Sequence, residues 1–298
     1  MQPAPRARLE IVLAALLFST GGAAIKATSL GSWQVASLRS GVAAAALLLL
    51  IPEARRGFGR RSALVAVAYA ATLTLFVSAN KLTTSASAIF LQDTAPLYVL
   101  LLGPLLLRER VGRTDLAFMV LVAAGMALFF VGADAPLRTA PDPLRGNVLA
   151  AASGVTWALT IIGLRWAAAD PRGGGPLSAV VLGNALAFLA CLPAALPLGP
   201  ARPLDWAAIL FLGVVQIGLA YLLLGRGVHH VRALEASLLL LVEPALNPIW
   251  SWMVHGERPG LPTLAGGAIV IGATAARSVF DARARPGPAP GAAPSGSG

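Results

Sequence analysis

The chain has 298 residues, of which 57% are hydrophobic and only 12% charged, and its mean hydropathy is +0.75. Such values exclude a water-soluble globular protein and point to a chain that lives in a bilayer. A formal net charge of +10 would suit nucleic acid, but the basic residues alternate from loop to loop, as membrane topology demands.

An apolar run of about 20 residues spans the hydrocarbon core. Ten such runs follow one another, near residues 9–27, 32–51, 62–80, 85–106, 114–132, 146–168, 177–198, 205–224, 233–253 and 261–279. Helices are expected for all of them, because lipid offers backbone groups no outside partner. Arg6 and Arg8 before the first run resemble the start of a signal peptide, yet cleavage would remove a span the rest of the chain needs. Cys191 falls alone within the seventh run, so no disulfide framework exists. Residues 285–298 are Pro, Gly, Ala and Ser after the first arginine, and a disordered tail is expected there.

With the N-terminus cytoplasmic, sixteen Lys and Arg residues fall on the inner side, among them Arg55, Arg56, Arg60, Arg61, Arg226 and Arg277. Six fall outside: Lys26, Lys81, Arg138, Arg145, Arg202 and Arg258. Together with the intramembrane Arg39 these account for all 23. The bias predicts a multi-pass protein of the cytoplasmic (inner) membrane with both termini cytoplasmic. Trp33 and Trp206 then begin spans at the outer interface.

Residues 85–109 and 233–257 resemble each other at a constant offset of 148, which matches Ala88 to Ala236, Pro96 to Pro244 and Glu109 to Glu257. Phe18 and Lys26 in the first run match Trp157 and Arg165 in the sixth at an offset of 139. Five spans per copy is an odd number, so the second copy must enter the membrane in the opposite direction. The expected fold is all-α and integral to the membrane: ten transmembrane helices as two inverted five-helix repeats, residues 1–137 and 138–284.

The stretch Ala86-Ser87-Ala88-Ile89-Phe90-Leu91 running to Pro96 and Glu109 resembles the fourth helix of the drug/metabolite transporter superfamily, specifically its ten-helix EamA-type members. Leu234-Glu235-Ala236-Ser237-Leu238 running to Pro244 and Glu257 is its echo. Arg39 in the second run, and Gly146 ahead of a small-residue helix bearing Trp157, fit the same resemblance. It implies transport, mostly export of metabolites, amino acids and related compounds, with an importer or drug-efflux member of the same superfamily as the alternative. The sequence departs from the family at Leu91-Gln92-Asp93-Thr94, where apolar residues are usual, and the acid there marks a specialised substrate or coupling ion.

Ionisable groups at bilayer depth cost several kcal/mol unless paired or hydrated. Arg39, Asp93 and Glu243 are the three, and the two acids fall near mid-membrane at 1.5 Å per residue. A structural ion pair of Arg39 with Asp93 or Glu243 is the favoured reading for the arginine; the acids read as functional. Glu235, Leu239, Glu243 and Asn247 recur every fourth residue and share a helix face, as do Ser85, Ile89 and Asp93 with Pro96. Pro96 and Pro244 each remove a donor in mid-helix and are read as matched hinges. Phe18, Asn80, Gln92, Tyr98, Trp157, Asn184, Tyr221 and Asn247 complete the candidate substrate-binding set. Glu109 and Glu257 are read as caps or pairing partners at the interface.

The expected function is a secondary transporter, working by alternating access about a midplane site on a small-molecule substrate. Proton coupling through Asp93 or Glu243 and facilitated export are both compatible with these residues. An intramembrane enzyme on lipid-linked substrates is the competing class, but no zinc-type His/Glu motif occurs and His229, His230 and His255 all fall in loops. A Gly-rich phosphate loop ending in Gly-Lys-Ser/Thr is also missing, and Gly173-Gly174-Gly175 lacks the lysine. No metal, cofactor or nucleic-acid partner is called for, and small-residue helix faces leave the oligomeric state open.

Overall fold

The computed structural model describes residues 4–106, 112–131, 136–168, 176–228, 230–231 and 233–284. Glu109, Gly173 to Gly175 and the tail 285–298 fall outside the described residues. The helices are α1 (Ala4–Ser19), α2 (Gly21–Ala27), α3 (Ser32–Leu50), α4 (Arg60–Leu82), α5 (Ser85–Gln92), α6 (Ala95–Leu106), α7 (Arg113–Val131) and α8 (Pro143–Ala168). They continue with α9 (Pro176–Ala195), α10 (Pro203–Leu210), α11 (Ala220–Val228), α12 (Ala233–Leu240), α13 (Val242–His255) and α14 (Leu261–Ala284). Among the described residues nine helical stretches are long and apolar enough to cross a membrane, and α12 with α13 makes the tenth crossing. An even number of crossings returns the chain to the face on which it starts, here called the terminal face; the other is the distal face.

Polar residues at the ends of the spans fix where the helices begin and stop. The Thr84 hydroxyl accepts from the Ser87 amide at the start of α5, Asp115 accepts from the Gly112 amide ahead of α7, and Asp142 from the Arg145 amide at the start of α8. Gly256, at φ +69°, ends α13 in the left-handed conformation that glycine adopts without strain.

Four crossings are not single regular helices. The first breaks at Thr20, and the eighth carries a π-helical stretch, Phe211–Leu219, between α10 and α11. The fourth breaks at Asp93 and Thr94, and the ninth at Leu241. Asp93 and Leu241 are equivalent under the 148-residue offset, so the two breaks occupy one place in the repeat. Each lies just ahead of a proline, Pro96 or Pro244, which cannot donate to the carbonyl four residues earlier, Gln92 or Leu240. Both repeats therefore interrupt the same helix for the same covalent reason.

The two halves interlock with pseudo-twofold symmetry. The third crossing packs on the sixth (α4 on α8) as the eighth packs on the first (α11 on α1), and the second and seventh (α3, α9) and the fifth and tenth (α7, α14) meet as equivalent pairs. Lipid tails are as apolar as these side chains, so close approach rather than water exclusion must hold the helices together. Glycines provide it. A Cβ on Gly266 would lie 2.6 Å from the Gly125 carbonyl oxygen, and one on Gly213 would lie 2.5 Å from Val42. The outward surface is apolar, with Leu64, Val67, Val120 and Leu261 exposed, while Trp33 and Trp206 lie exposed at the distal ends of their helices.

Candidate functional site

At mid-depth the helices leave a cavity of about 580 Å³, a size suited to a small molecule. Both repeats line it, and both broken helices reach it: Gln92, Asp93 and Pro96 from one, Leu240, Leu241, Glu243 and Pro244 from the other. A broken membrane helix is tolerated only where its freed backbone meets protein or water, and the cavity provides that place. On the distal side the lining stops at Phe76, Ile89 and Gln216. On the other it reaches Leu164 and Leu224, each 21 residues along from the start of α8 or α10, roughly 30 Å at the helical rise. A second cavity of about 400 Å³ near the terminal face shares Tyr221 and is bordered by Glu53, Arg226 and His230.

Four aromatic rings form one wall. Phe18 meets Tyr221 edge to face, with centroids 5.3 Å apart, and Trp157 lies 6.2 Å from Tyr69. The two tyrosine hydroxyls are hydrogen-bonded at 3.0 Å. Phe18 and Trp157 are equivalent in the repeat, so each half contributes one ring packed against a tyrosine of the eighth or third crossing, and the hydroxyl pair joins the halves. The opposite chemistry comes from Asp93 and Glu243. Neither carboxylate accepts a hydrogen bond or pairs with a cation among the described residues, and each keeps part of its surface open where it lines the cavity.

Arg39 differs from the sequence expectation. It is buried and lines the cavity, but no carboxylate among the described residues pairs with it; one guanidinium nitrogen donates to the Leu73 carbonyl at 3.3 Å, and Nε has no partner. The expected structural ion pair with Asp93 or Glu243 does not form, because α3 brings the guanidinium to α4 and the seventh crossing, where Tyr69 and Cys191 are its neighbours.

Of the candidate binding residues, Phe18, Arg39, Gln92, Asp93, Trp157, Tyr221 and Glu243 come together in the lining, as do both hinge prolines. Asn80, Tyr98, Asn184 and Asn247 do not. Asn80 donates to the Phe76 carbonyl one turn back, Asn184 donates to Val180 and adjoins Tyr69 from behind, and the Tyr98 hydroxyl turns to the Met126 sulfur. Asn247 is buried against Gly22 and Ser85, since the break at Leu241 ends the continuous face that the every-fourth-residue pattern assumed. Within that face Glu235 is drawn to the terminal end, where it pairs with Arg8.

Tyr69, Thr72 and Gln216 also line the cavity and lie outside the candidate set. Tyr69, Thr72, Leu73 and Phe76 repeat at helical spacing on α4, a signal visible in the chain, and all four line the cavity. Lys26 and Glu257 gave a weaker one. They form an ion pair of 2.8 Å at the distal end with side chains 2% and 1% exposed, which takes the pairing rather than the capping alternative expected for Glu257. Nearby, Asp205 accepts from the Ser29 amide and hydroxyl and from Arg202, whose guanidinium pKa that carboxylate raises above its ordinary value.

Two inverted five-helix repeats enclosing a mid-membrane cavity, with ionisable groups inside it, define a membrane transporter of small molecules. The model of the EamA-like transporter family matches the chain twice, over residues 7–131 and 144–278, and the chain belongs to that family, within the drug/metabolite transporter superfamily. It is similar to an uncharacterized transporter of Archaeoglobus fulgidus, with 27% identity over 264 residues covering 88% of this chain and 92% of that protein. A 65-residue segment is 40% identical to part of the uncharacterized transporter YdfC of Bacillus subtilis, covering 22% and 21% of the two chains. A solved crystal structure superposes with a TM-score of 0.61 over 92% of this chain and 98% of the other at 20% identity, a likeness of fold.

Proposed function

We propose that the protein is a secondary transporter that exports amino acids or similar small metabolites across the cytoplasmic membrane. Residues 1–137 and 138–284 rock about the central cavity, with Pro96 and Pro244 as hinges. The observation that carries this reading is the pair of carboxylates, Asp93 and Glu243, which line an otherwise largely apolar cavity without a protein donor among the described residues. An ammonium group supplies what they lack. Arg39, unpaired on another wall, suits the carboxylate of the same molecule, and the rings of Phe18, Tyr221, Tyr69 and Trp157 receive its apolar part. Between turnovers one acid holds a proton in place of the amine, which is the simplest route to proton coupling.

The test is uptake of labelled amino acids, nucleosides and amine drugs into proteoliposomes, with and without a proton gradient, for wild type, Glu243→Gln and Asp93→Asn. Saturable uptake of an amino acid that falls at least about tenfold in one variant is expected, the loss of one charge-assisted bond. Normal uptake by both variants would remove the acids from the pathway. Uptake confined to amine drugs would replace the amino acid as substrate.

A further inference from the structure

The cavity ends at Phe76, Ile89 and Gln216, and what lies beyond it is not an ordinary helix interface. There α2, α5 and α13 close on one another. A Cβ on Gly22 would lie 2.8 Å from both Asn247 Oδ1 and Ser85 Oγ, so the closure is tight. Yet both polar side-chain atoms of Asn247, the Ser85 hydroxyl and the Ser251 hydroxyl are buried with no hydrogen-bond partner among the described residues. Each such group gives up its hydration with no bond in return, and a permanent seam of membrane helices would have no reason to carry four of them.

At the distal end of this seam stands the Lys26–Glu257 pair. Lys26 Nζ also donates to the carbonyls of Thr83 and Thr139, and Glu257 Oε2 accepts from the Ser85 amide at 3.0 Å. Three of these contacts, Lys26 with Glu257, Lys26 with Thr139 and Ser85 with Glu257, join the first repeat to the second and must break if the halves part on this face, while the Lys26–Thr83 bond stays within the first repeat. Under the repeat the counterpart of this pair is Arg165 with Glu109, which lies outside the described residues; the ion pair described near the terminal face, Arg8 to Glu235, joins side chains that are 55% and 33% exposed. An exposed pair is worth little, whereas a buried one resists separation because each lone charge would be left desolvated.

We infer that the Lys26–Glu257 pair is the lock of a distal gate, and that Ser85, Asn247 and Ser251 line the shut half of the translocation path. The orphaned polar groups are hydrated when the gate opens, and their missing partners in the closed state keep the closed form from being too stable to leave. This rests on the transport reading, but its test needs no substrate. The reporter is Ser251→Cys in a Cys191→Ser background, in sealed membrane vesicles of either orientation, with a membrane-impermeant methanethiosulfonate as probe. With the lock intact the thiol should react slowly from both faces. Glu257→Gln and Lys26→Met should each speed reaction from the distal face at least about tenfold, a population shift of more than 1.4 kcal/mol toward the open form.

Gly22→Ala should do the same without touching the ion pair, by wedging a methyl between Asn247 and Ser85, and it decides the matter if the charge variants fail to assemble. Rates within about twofold of the parent in all assembled variants, or acceleration only from the terminal face, would overturn the gate. Distal acceleration in variants of a protein that moves nothing in the uptake panel would support the gate and count against the substrate reading alone.

Discussion

Arg39 separates two roles that sequence alone confounds. A buried guanidinium in a membrane helix reads first as half of an ion pair, because the alternative is a costly lone charge. Here Leu73 supplies one carbonyl at 3.3 Å and the rest of the group lines the cavity with the acids elsewhere. Breaking a buried ion pair typically costs 3–5 kcal/mol, while removing an unpaired buried charge costs little or stabilises. Arg39→Met should therefore melt within about 1 kcal/mol of wild type, or above it, in detergent, while uptake of carboxylate-bearing substrates is lost. A loss of several kcal/mol would return Arg39 to a structural role. Asp93 and Glu243 were findable because a charge at bilayer depth stands out in any apolar run. Asn80, Asn184 and Asn247 were not separable from them, since whether an amide faces a cavity, its own helix backbone or a glycine of a neighbour depends on rotation about the helix axis. That rotation is set by packing partners far away in the chain.

Among the elements, the paired breaks at Asp93 and Leu241 were half visible. The prolines announced a bend, but a full interruption needs space beside it, and the cavity supplies that space only once both repeats are assembled. The π-helical stretch of the eighth crossing had no sequence signal: it lets Gly213 and Gly218 lie against Val42 and Ala46 of α3 while Gln216 stays on the cavity. Close approach of this kind is testable between α7 and α14. Gly266→Ala would drive a methyl to 2.6 Å from the Gly125 carbonyl and onto the ring of Phe129, so it should destabilise the purified protein by about 1–3 kcal/mol. Gly272→Ala, six residues further along the same helix, meets nothing within 4 Å. It should be neutral or gain up to about 1 kcal/mol from helix propensity. Equal effects at the two sites would mean that α7 and α14 are not held as closely as the glycines allow.

For the whole molecule, inverted duplication was readable from two prolines and a constant offset, while the state of the pathway was not. A repeat makes the two faces equivalent in sequence, and a single structure must break that equivalence. It does so through the seam of α2, α5 and α13 that closes one end and voids that run toward the other. The topology rests on the count of basic residues. Ion pairs occur at both faces, Lys26 with Glu257 and Arg202 with Asp205 on the distal one, Arg6 with Glu10, Arg8 with Glu235 and Arg277 with Asp115 on the terminal one. On the terminal face Arg55, Arg56, Arg60 and Arg226 are exposed. The positive-inside bias counts Lys and Arg near the ends of spans rather than net charge, so the imbalance stays sixteen to six. A fluorescent protein fused after Gly298 and expressed in a bacterial host should accordingly mature and fluoresce, and alkaline phosphatase fused at the same point should stay inactive. An active phosphatase would put the termini outside, turn the distal gate toward the cytoplasm, and make uptake rather than export the direction in which the closed gate faces the substrate.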